Sequence, residues 1–391
     1  MKFIHTADWQ IGKRFAGISD MHKRSLVQQA RIEAIKRIGF VTKDCGADFV
    51  LVAGDLFDSP STDKATVSAA CSAIGQMELP VIVIPGNHDH GGPGSLWGQE
   101  FFMREQEALA PNLKVLREAV PFEMESAVLL PCPLRRRAVS TDPTEWLRGS
   151  DIYAKLPPDK PRIVLAHGST QAFLGQWDDD EEDNFSTNLI DLMRLPNTEI
   201  DYIALGDWHG TKQVSEKAWF AGTPEPDRFP KGSDHDQGNI LVVDVQRAEI
   251  PQIAKSAMAS LQWNELVFDF ADDTALNELE NRLAALLGQR VNEDLLRLTL
   301  TGSVGIDTLN RLEQVLESLN ARLLRLKLVN RTLIAPTEKE MQDLTQRGAD
   351  PLIANVARQL VEQSGGDSED AQVARVALRE LHAACTQEAL S

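Results

Sequence analysis

The feature that most constrains this chain is a series of short polar motifs, each placed directly after a strongly apolar run. Asp8-Trp9-Gln10 follows residues 2–7, Gly54-Asp55 follows 49–53, and Gly86-Asn87-His88-Asp89 follows 81–85. His167-Gly168 follows 163–166, and Gly206-Asp207-Trp208-His209 follows 202–205. Apolar runs of this length mark buried strands. Polar residues gathered where such strands end form the rim of an open α/β sheet, which is where ligands bind. Asp8, Gln10, Asp55, Asn87, His167, Asp207 and His209 offer oxygen or imidazole donors, and none of them is a thiolate. That donor set suits a pair of hard or borderline divalent metals.

A chain of 391 residues has room for two or three domains and a large core. No run approaches the roughly 18 consecutive apolar residues of a membrane span. Lys2 already enters a strand pattern, without the basic, apolar and cleavage regions of a signal peptide. Cys45, Cys71, Cys132 and Cys385 form no CxxC pair, which favours free thiols in a reducing compartment over disulfides or zinc. The expected location is the cytoplasm. The net charge of −18 argues against a free-standing DNA binder, because DNA affinity rests on Lys and Arg at phosphates. It does not argue against a nuclease subunit that works with a partner. Part of the excess is the run DDDEED at 178–183, expected to be a solvated loop, and Arg135-Arg136-Arg137 is a compensating basic cluster.

Along the chain, strand-like runs alternate with helical patterns over residues 1–250, which predicts an α/β domain. Apolar spacing predicts a helix from 21 that ends at Gly39 or Gly46, a second over 62–77, and ligand-free strands at 219–221 and 239–245. Past 250 the pattern becomes strand 266–270, helix 273–287, strand 295–301, helix 307–319 and strand 322–329, a small βαβαβ accessory domain over 251–335. Residues 336–391 form amphipathic helices, among them 352–363 and 370–384, which either pack on their own domain or dock a partner. There is no internal repeat and no GxxxxGK[ST], so any ATP-driven step must come from another chain.

Two divalent metals about 3.5–4 Å apart can activate a water and clamp the oxygens of a phosphoryl centre. Asp55 suits the bridge between them, because each of its carboxylate oxygens can face a different cation. His88, next to the ligand Asn87, is expected to face the substrate and protonate the leaving oxygen or stabilise transition-state charge. Gly86 permits the tight turn that brings backbone near the metals. His5, His22, His90, His235 and His382 fall outside the pattern and read as structural or surface residues.

GDLFD at 54–58, GNHD at 86–89, AHG at 166–168 and GDWH at 206–209 resemble the calcineurin-like metallophosphoesterase superfamily. HTADWQIGK at 5–13, together with GDLFD, narrows the resemblance to SbcD-like exonuclease subunits of DNA double-strand-break repair. AGTPEPDRF at 221–229 resembles that family's strand-turn after the last metal motif, and the resemblance covers residues 1–335. It implies a four-layer αββα sandwich with a βαβαβ capping domain and C-terminal helices. It also implies two manganese ions, with magnesium as the alternative. Carried over by position, Asp8, Gln10, Asp55 and His209 would hold one ion, Asp55, Asn87, His167 and Asp207 the other, with His88 catalytic. A DNA substrate, a homodimer and an SbcC-like coiled-coil ATPase docking on the C-terminal helices complete what it implies.

Two positions depart from the family pattern, which has His where this chain has Gln10 and Asp207. Ligation through oxygen at both would favour manganese or magnesium over zinc or copper. The expected activity is that of a metal-dependent DNA exo- or endonuclease subunit. The alternatives are a phosphodiesterase acting on a small nucleotide-type substrate and a non-catalytic scaffold of the same fold.

Overall fold

The computed structural model describes residues 1–170, 187–230, 236–271, 275–334, 338–346, 350–365 and 368–388, in two compact units, Met1–Gln262 and Trp263–Ser391. The run at 178–183 and His235 lie outside the described residues. The first unit begins β1 (Lys2–Thr6), α1 (Met21–Cys45), β2 (Val50–Val52), α2 (Lys64–Gly75), β3 (Val81–Val83), α3 (Glu100–Leu109) and β4 (Leu113–Val115). It continues with β5 (Phe122–Glu123), β6 (Val128–Cys132), α4 (Ser150–Tyr153), β7 (Arg162–His167) and β8 (Tyr202–Gly206). It ends with β9 (Lys212–Gln213), β10 (Ala218–Phe220), β11 (Asn239–Asp244) and β12 (Gln252–Ala257).

These strands form two six-stranded sheets, ordered β12-β11-β1-β2-β3-β4 and β5-β6-β7-β8-β10-β9. β1 to β4 run parallel, as do β6, β7, β8 and β10, so the ends that carry the polar motifs line up within each sheet. The period of two in a strand splits each apolar run between two faces. Phe3, Leu51, Ile82 and Leu241 of the first sheet share one buried cluster with Leu129, Ile163, Leu165 and Tyr202 of the second, so the sheets pack face to face. Ile4, Val50, Val52 and Val81 point the other way, onto Ile35 and Ile38 of α1 and Val67 and Ile74 of α2. Val128, Val164, Ile203 and Leu205 pack outward on Leu147 and Tyr153, which belong to short helical turns. The result is helix, sheet, sheet, helix.

α1 is capped at its start by the Asp20 carboxylate, which accepts from the His22 and Lys23 amides. It runs through Gly39, buried against Met77, and stops at Gly46, whose φ of 66° closes the helix in the left-handed region. The first unit also extends past the residue 250 expected from sequence, because β12 pairs along β11 over Gln252–Asp244 through Ala257–Asn239. β12 reads QIAKSA and is largely exposed, so no apolar run announces it.

The second unit is β13 (Gln262–Phe270), α5 (Ala275–Leu287), β14 (Asp294–Val304), α6 (Ile306–Arg322), β15 (Arg325–Asn330), β16 (Leu333–Ile334), α7 (Glu338–Thr345), α8 (Pro351–Gln363) and α9 (Glu369–Glu388). Its sheet is ordered β13-β14-β15, with β16 on β14. Leu276, Leu279 and Leu283 of α5 and Leu312 and Leu319 of α6 cover Leu296, Leu298 and Leu300. Leu344, Ala357, Leu378 and Cys385 join Ile306 in one cluster, so the helices past 336 belong to this unit and do not stand apart. No helix among the described residues is long and apolar enough to cross a membrane.

Leu165 is fully buried between the two sheets. Leu165→Ala is expected to lower stability by about 2–5 kcal/mol, read as the shift in the urea midpoint of the full chain. A shift no larger than that of a surface substitution would contradict the sandwich packing.

Candidate metal centre

The loops after β1 and β2 run side by side and are tied by backbone bonds: Asp8 N–H to Gly54 O (3.1 Å), Gln10 N–H to Asp55 O (2.9 Å) and Ile11 N–H to Leu56 O (2.9 Å). Arg31 of α1, buried, donates to Trp9 O (2.8 Å), Asp8 O (3.1 Å) and Glu225 O (2.8 Å), and so fixes the first loop to the segment after β10. Asp8, Gln10, Asp55 and Asp207 all have positive φ, at 53°, 40°, 55° and 104°. Non-glycine residues held in such regions carry strain of about 1–3 kcal/mol each and gather at functional sites.

Asp89 ties the second loop to the third. One of its carboxylate oxygens accepts from Phe57 N–H (3.0 Å) and the other from Gly86 N–H (2.7 Å). Its own burial, helped by the nearby Asp55 charge, pushes its pKa up to about 7. The second sheet closes the site from the other side. His167, at the end of β7, donates from Nδ1 to Ala53 O at 2.7 Å, which leaves Nε2 facing the pocket. Gly54, at φ 90°, lets the ring come this close: a Cβ there would lie 2.2 Å from His167 Nδ1. A Cβ on Gly86 would fall 2.1 Å from Asp55 Oδ1.

The seven sequence-predicted ligands separate into two groups. Around His167 Nε2 stand Asn87 Oδ1 at 3.1 Å, Asp55 Oδ2 at 3.5 Å and Asp207 Oδ1 at 3.7 Å. Donor atoms of Asp8, Asp55 and His167, all buried, lie within 4.8 Å of one another. Asp8 accepts the Asp207 amide with both oxygens, and Ser169 Oγ donates to Asp207 Oδ2 at 2.8 Å. Oxygen and imidazole donors converging in this way fit a divalent ion. Gln10 and His209 form the other group, with Gln10 Nε2 3.3 Å from His209 Nε2. His209 Nδ1 bonds Asp227 Oδ1 at 2.8 Å, and Lys13 Nζ donates to Gln10 Oε1 (2.7 Å) and Asp227 Oδ2 (2.6 Å).

Burial pushes Asp8 up to about 8, with Asp55 and Asp207 adding to the effect and His167 opposing it. Burial works against a charged His167, but Asp55, Asp8 and Asp207 outweigh it and raise its pKa to about 9. His209 goes the other way: burial and then the Arg228 charge lower it to about 4, so it is a neutral ring near pH 7. Asp227, although buried, is held well below the usual carboxylate range by His209 and Lys13. His88 has its ring fixed by Nδ1–H donation to Asp58 O (3.0 Å), and its Nε2 lies 4.0 Å from Asp55 Oδ2. Its side chain is 31% exposed, so it can be reached from solvent while Asp55 beside it, at 2%, cannot.

Lys13, Arg31, Asp89, Glu225 and Asp227 complete the site; the sequence places Asp89 in the GNHD motif but assigns none of the five a role. Lys13 lies inside HTADWQIGK, and Glu225 and Asp227 inside AGTPEPDRF, but nothing in spacing alone assigns them a contact. Of the histidines left out, His5 is a buried core residue between Tyr202 OH (2.9 Å) and Leu205 O (3.2 Å), and burial lowers its pKa to about 3. His382 is buried 3.2 Å from Asp307, His22 is exposed and His90 half-buried.

Residues 1–211 match the calcineurin-like phosphoesterase family, and the chain belongs to that family. Its members are metal-dependent hydrolases of phosphoesters. The crystal structure of TT1561 from Thermus thermophilus resembles the chain at 12% identity, over 66% of this chain and 98% of its own, with a TM-score of 0.40. A second solved structure does so at 11% identity, over the same shares, with a TM-score of 0.39.

Ligation through His167 Nε2 requires the proton on that nitrogen to leave, and Asp8 must be ionised to bind a cation. Both groups have raised pKa values, near 9 and 8, so affinity for Mn2+ is expected to rise with pH from 6.5 towards 9, with proton release on binding. Calorimetric titrations in buffers of different ionisation enthalpy measure both quantities. Affinity that stays flat over that range, with no proton released, would remove these two residues from the ligand set.

Proposed function

We propose that this metal-dependent phosphoesterase is the nuclease subunit of a DNA-processing complex, hydrolysing phosphodiester bonds with manganese, or magnesium, as its ion. The observation that carries the reading is the position of the basic cluster. Leu134 N–H donates to Pro85 O (3.0 Å) and Gly91 N–H to Leu134 O (2.8 Å), so the Arg135–Arg137 loop lies against the loop that bears His88. All three arginines are exposed. An otherwise acidic chain therefore sets positive charge beside its candidate active site, where a phosphate backbone would run.

A bound divalent ion supplies an activated water and a Lewis acid for the phosphoryl oxygens. Asp55, Asn87, His167 and Asp207, with Asp8, are the residues that would hold it. His88 presents Nε2 to the substrate side. Burial works against its protonation, but the Asp55 charge raises its pKa overall, so it can hold a proton for the leaving oxygen. The Asp58 carbonyl keeps that ring from turning away.

The chain has no GxxxxGK[ST] sequence, and the ATPase partner we propose is an SbcC-like coiled-coil protein docking on the C-terminal helices. α8 turns Leu352 and Val356 to solvent and α9 turns Val373 and Val376, spacings that make a stripe on each helix. A homodimer and a cytoplasmic location belong to the same proposal.

His88→Gln is expected to lower turnover of a chromogenic phosphodiester by about 10²–10⁴-fold while Mn2+ binding is retained. Asp55→Ala is expected to abolish both. Replacing Arg135, Arg136 and Arg137 by Ala should leave the chromogenic reaction intact and reduce the salt dependence of DNA binding by about 2–3 in log–log slope. Diester hydrolysis with no cleavage of end-labelled DNA, in the presence or absence of the partner, would turn the assignment towards a small nucleotide-type substrate. Inactivity on both substrates would favour a scaffold.

A further inference from the structure

We infer that this chain holds one divalent ion, at Asp55, Asn87, His167, Asp207 and Asp8, and that a closed ring of Lys13, Gln10, His209 and Asp227 occupies the place of the second. The inference rests on the metal-dependent reading above and narrows it from two ions to one. The ring has four links. Lys13 Nζ donates to Gln10 Oε1 (2.7 Å), and Gln10 Nε2 meets His209 Nε2 (3.3 Å). His209 Nδ1 meets Asp227 Oδ1 (2.8 Å), and Asp227 Oδ2 accepts from Lys13 Nζ (2.6 Å).

Only one assignment of hydrogens satisfies all four links. An ammonium can only donate, so Gln10 must present its oxygen to Lys13 and its NH2 to His209. Asp227 accepts at both oxygens, so the His209 proton sits on Nδ1 and Nε2 is the acceptor for the Gln10 NH2. Turning the Gln10 amide over would set NH2 against the ammonium and Oε1 against the imidazole lone pair, breaking two bonds at once. In the orientation the ring imposes, the Gln10 group facing His209 is an amide nitrogen, whose lone pair is delocalised into the carbonyl and does not ligate cations. The Nε2 lone pair of His209 is already engaged. Both residues that would distinguish the second metal position are therefore spent on each other and on Lys13.

The ring is also anchored. Lys13 N–H closes a turn onto Gln10 O (3.2 Å), and Gln28 of α1 donates to Lys13 O (3.0 Å), so the lysine is fixed at both ends of its backbone. Asp227 has no exposed side-chain surface, and its negative charge has Lys13 and His209 as its contacts in the ring. The Lys13 ammonium is the cation bonded within the ring, and the Arg228 charge acts on His209 and Asp227 beside it. A divalent ion entering the ring would have to displace a positive charge already paired with a buried carboxylate.

Metal content decides the matter without reference to catalysis. The full chain, stripped with chelator, would be titrated with Mn2+ by calorimetry, and its bound Mn2+ examined by electron paramagnetic resonance. The expected result is one equivalent per chain with the six-line spectrum of an isolated ion. Lys13→Met combined with Gln10→His is expected to take up a second equivalent and show the spectrum of an exchange-coupled pair. Two equivalents in the unaltered chain would overturn the inference and leave the hydrolase reading standing, whereas none would overturn both. A double variant that folds, by circular dichroism, yet still binds one equivalent would overturn the role given to the ring.

Discussion

Like charges buried together are the condition on which the first unit is built. Asp8, Asp55 and Asp89 are buried and Asp207 nearly so, all within a few residues of strand ends, and none has a Lys or Arg side chain as its hydrogen-bond partner among the bonds described. Isolated carboxylates in such a place would either take up protons or unfold the site. The structure answers in two ways. Asp89 spends its oxygens on backbone amides, and the others surround the His167 imidazole, whose Nε2 proton can give way to a metal ion. The positive φ angles at four of the motif positions follow from the same demand. The chain must turn sharply off each strand to aim short side chains at a common point, and only a densely hydrogen-bonded set of loops keeps it there.

Where one residue does carry a positive side chain into this region, it changes the chemistry of its neighbours. Lys13 takes the oxygen of Gln10, and with it the part of the amide that could serve a cation. The second substitution from the family pattern behaves differently. Asp207 keeps one oxygen towards His167 while Ser169 occupies the other, so its carboxylate remains part of the donor cluster. Gln10 and Asp207, the two positions where the resemblance implies His, thus differ in outcome, and the difference lies in what stands beside each.

Much of this was legible in the sequence. The apolar runs at 49–53 and 202–205 could only be buried strands, and residues of ligand type at their ends could only gather at one rim. The βαβαβ pattern of the second unit was equally plain, because Leu276, Leu279 and Leu283 fall at helical spacing and β14 is apolar on alternate positions. What escaped reading was of two kinds. β12 and the two-residue strands β5 and β9 are held by pairing and not by apolar composition, so they carry no periodic signal. Lys13 and Asp227 are 214 residues apart, and their meeting depends on how α1 and the segment after β10 are clasped by Arg31. A motif can name a ligand, but it does not say which neighbour reaches that ligand first.

His167 donates across the sandwich to the carbonyl of Ala53, so the donor cluster is shared between the two sheets: Asp8, Asp55 and Asn87 come from one, His167 and Asp207 from the other. Neither sheet alone brings the full donor set together. An ion held by the full set would therefore need the two sheets docked in register. Such an ion would also be a lock across the seam, joining donors that belong to different sheets.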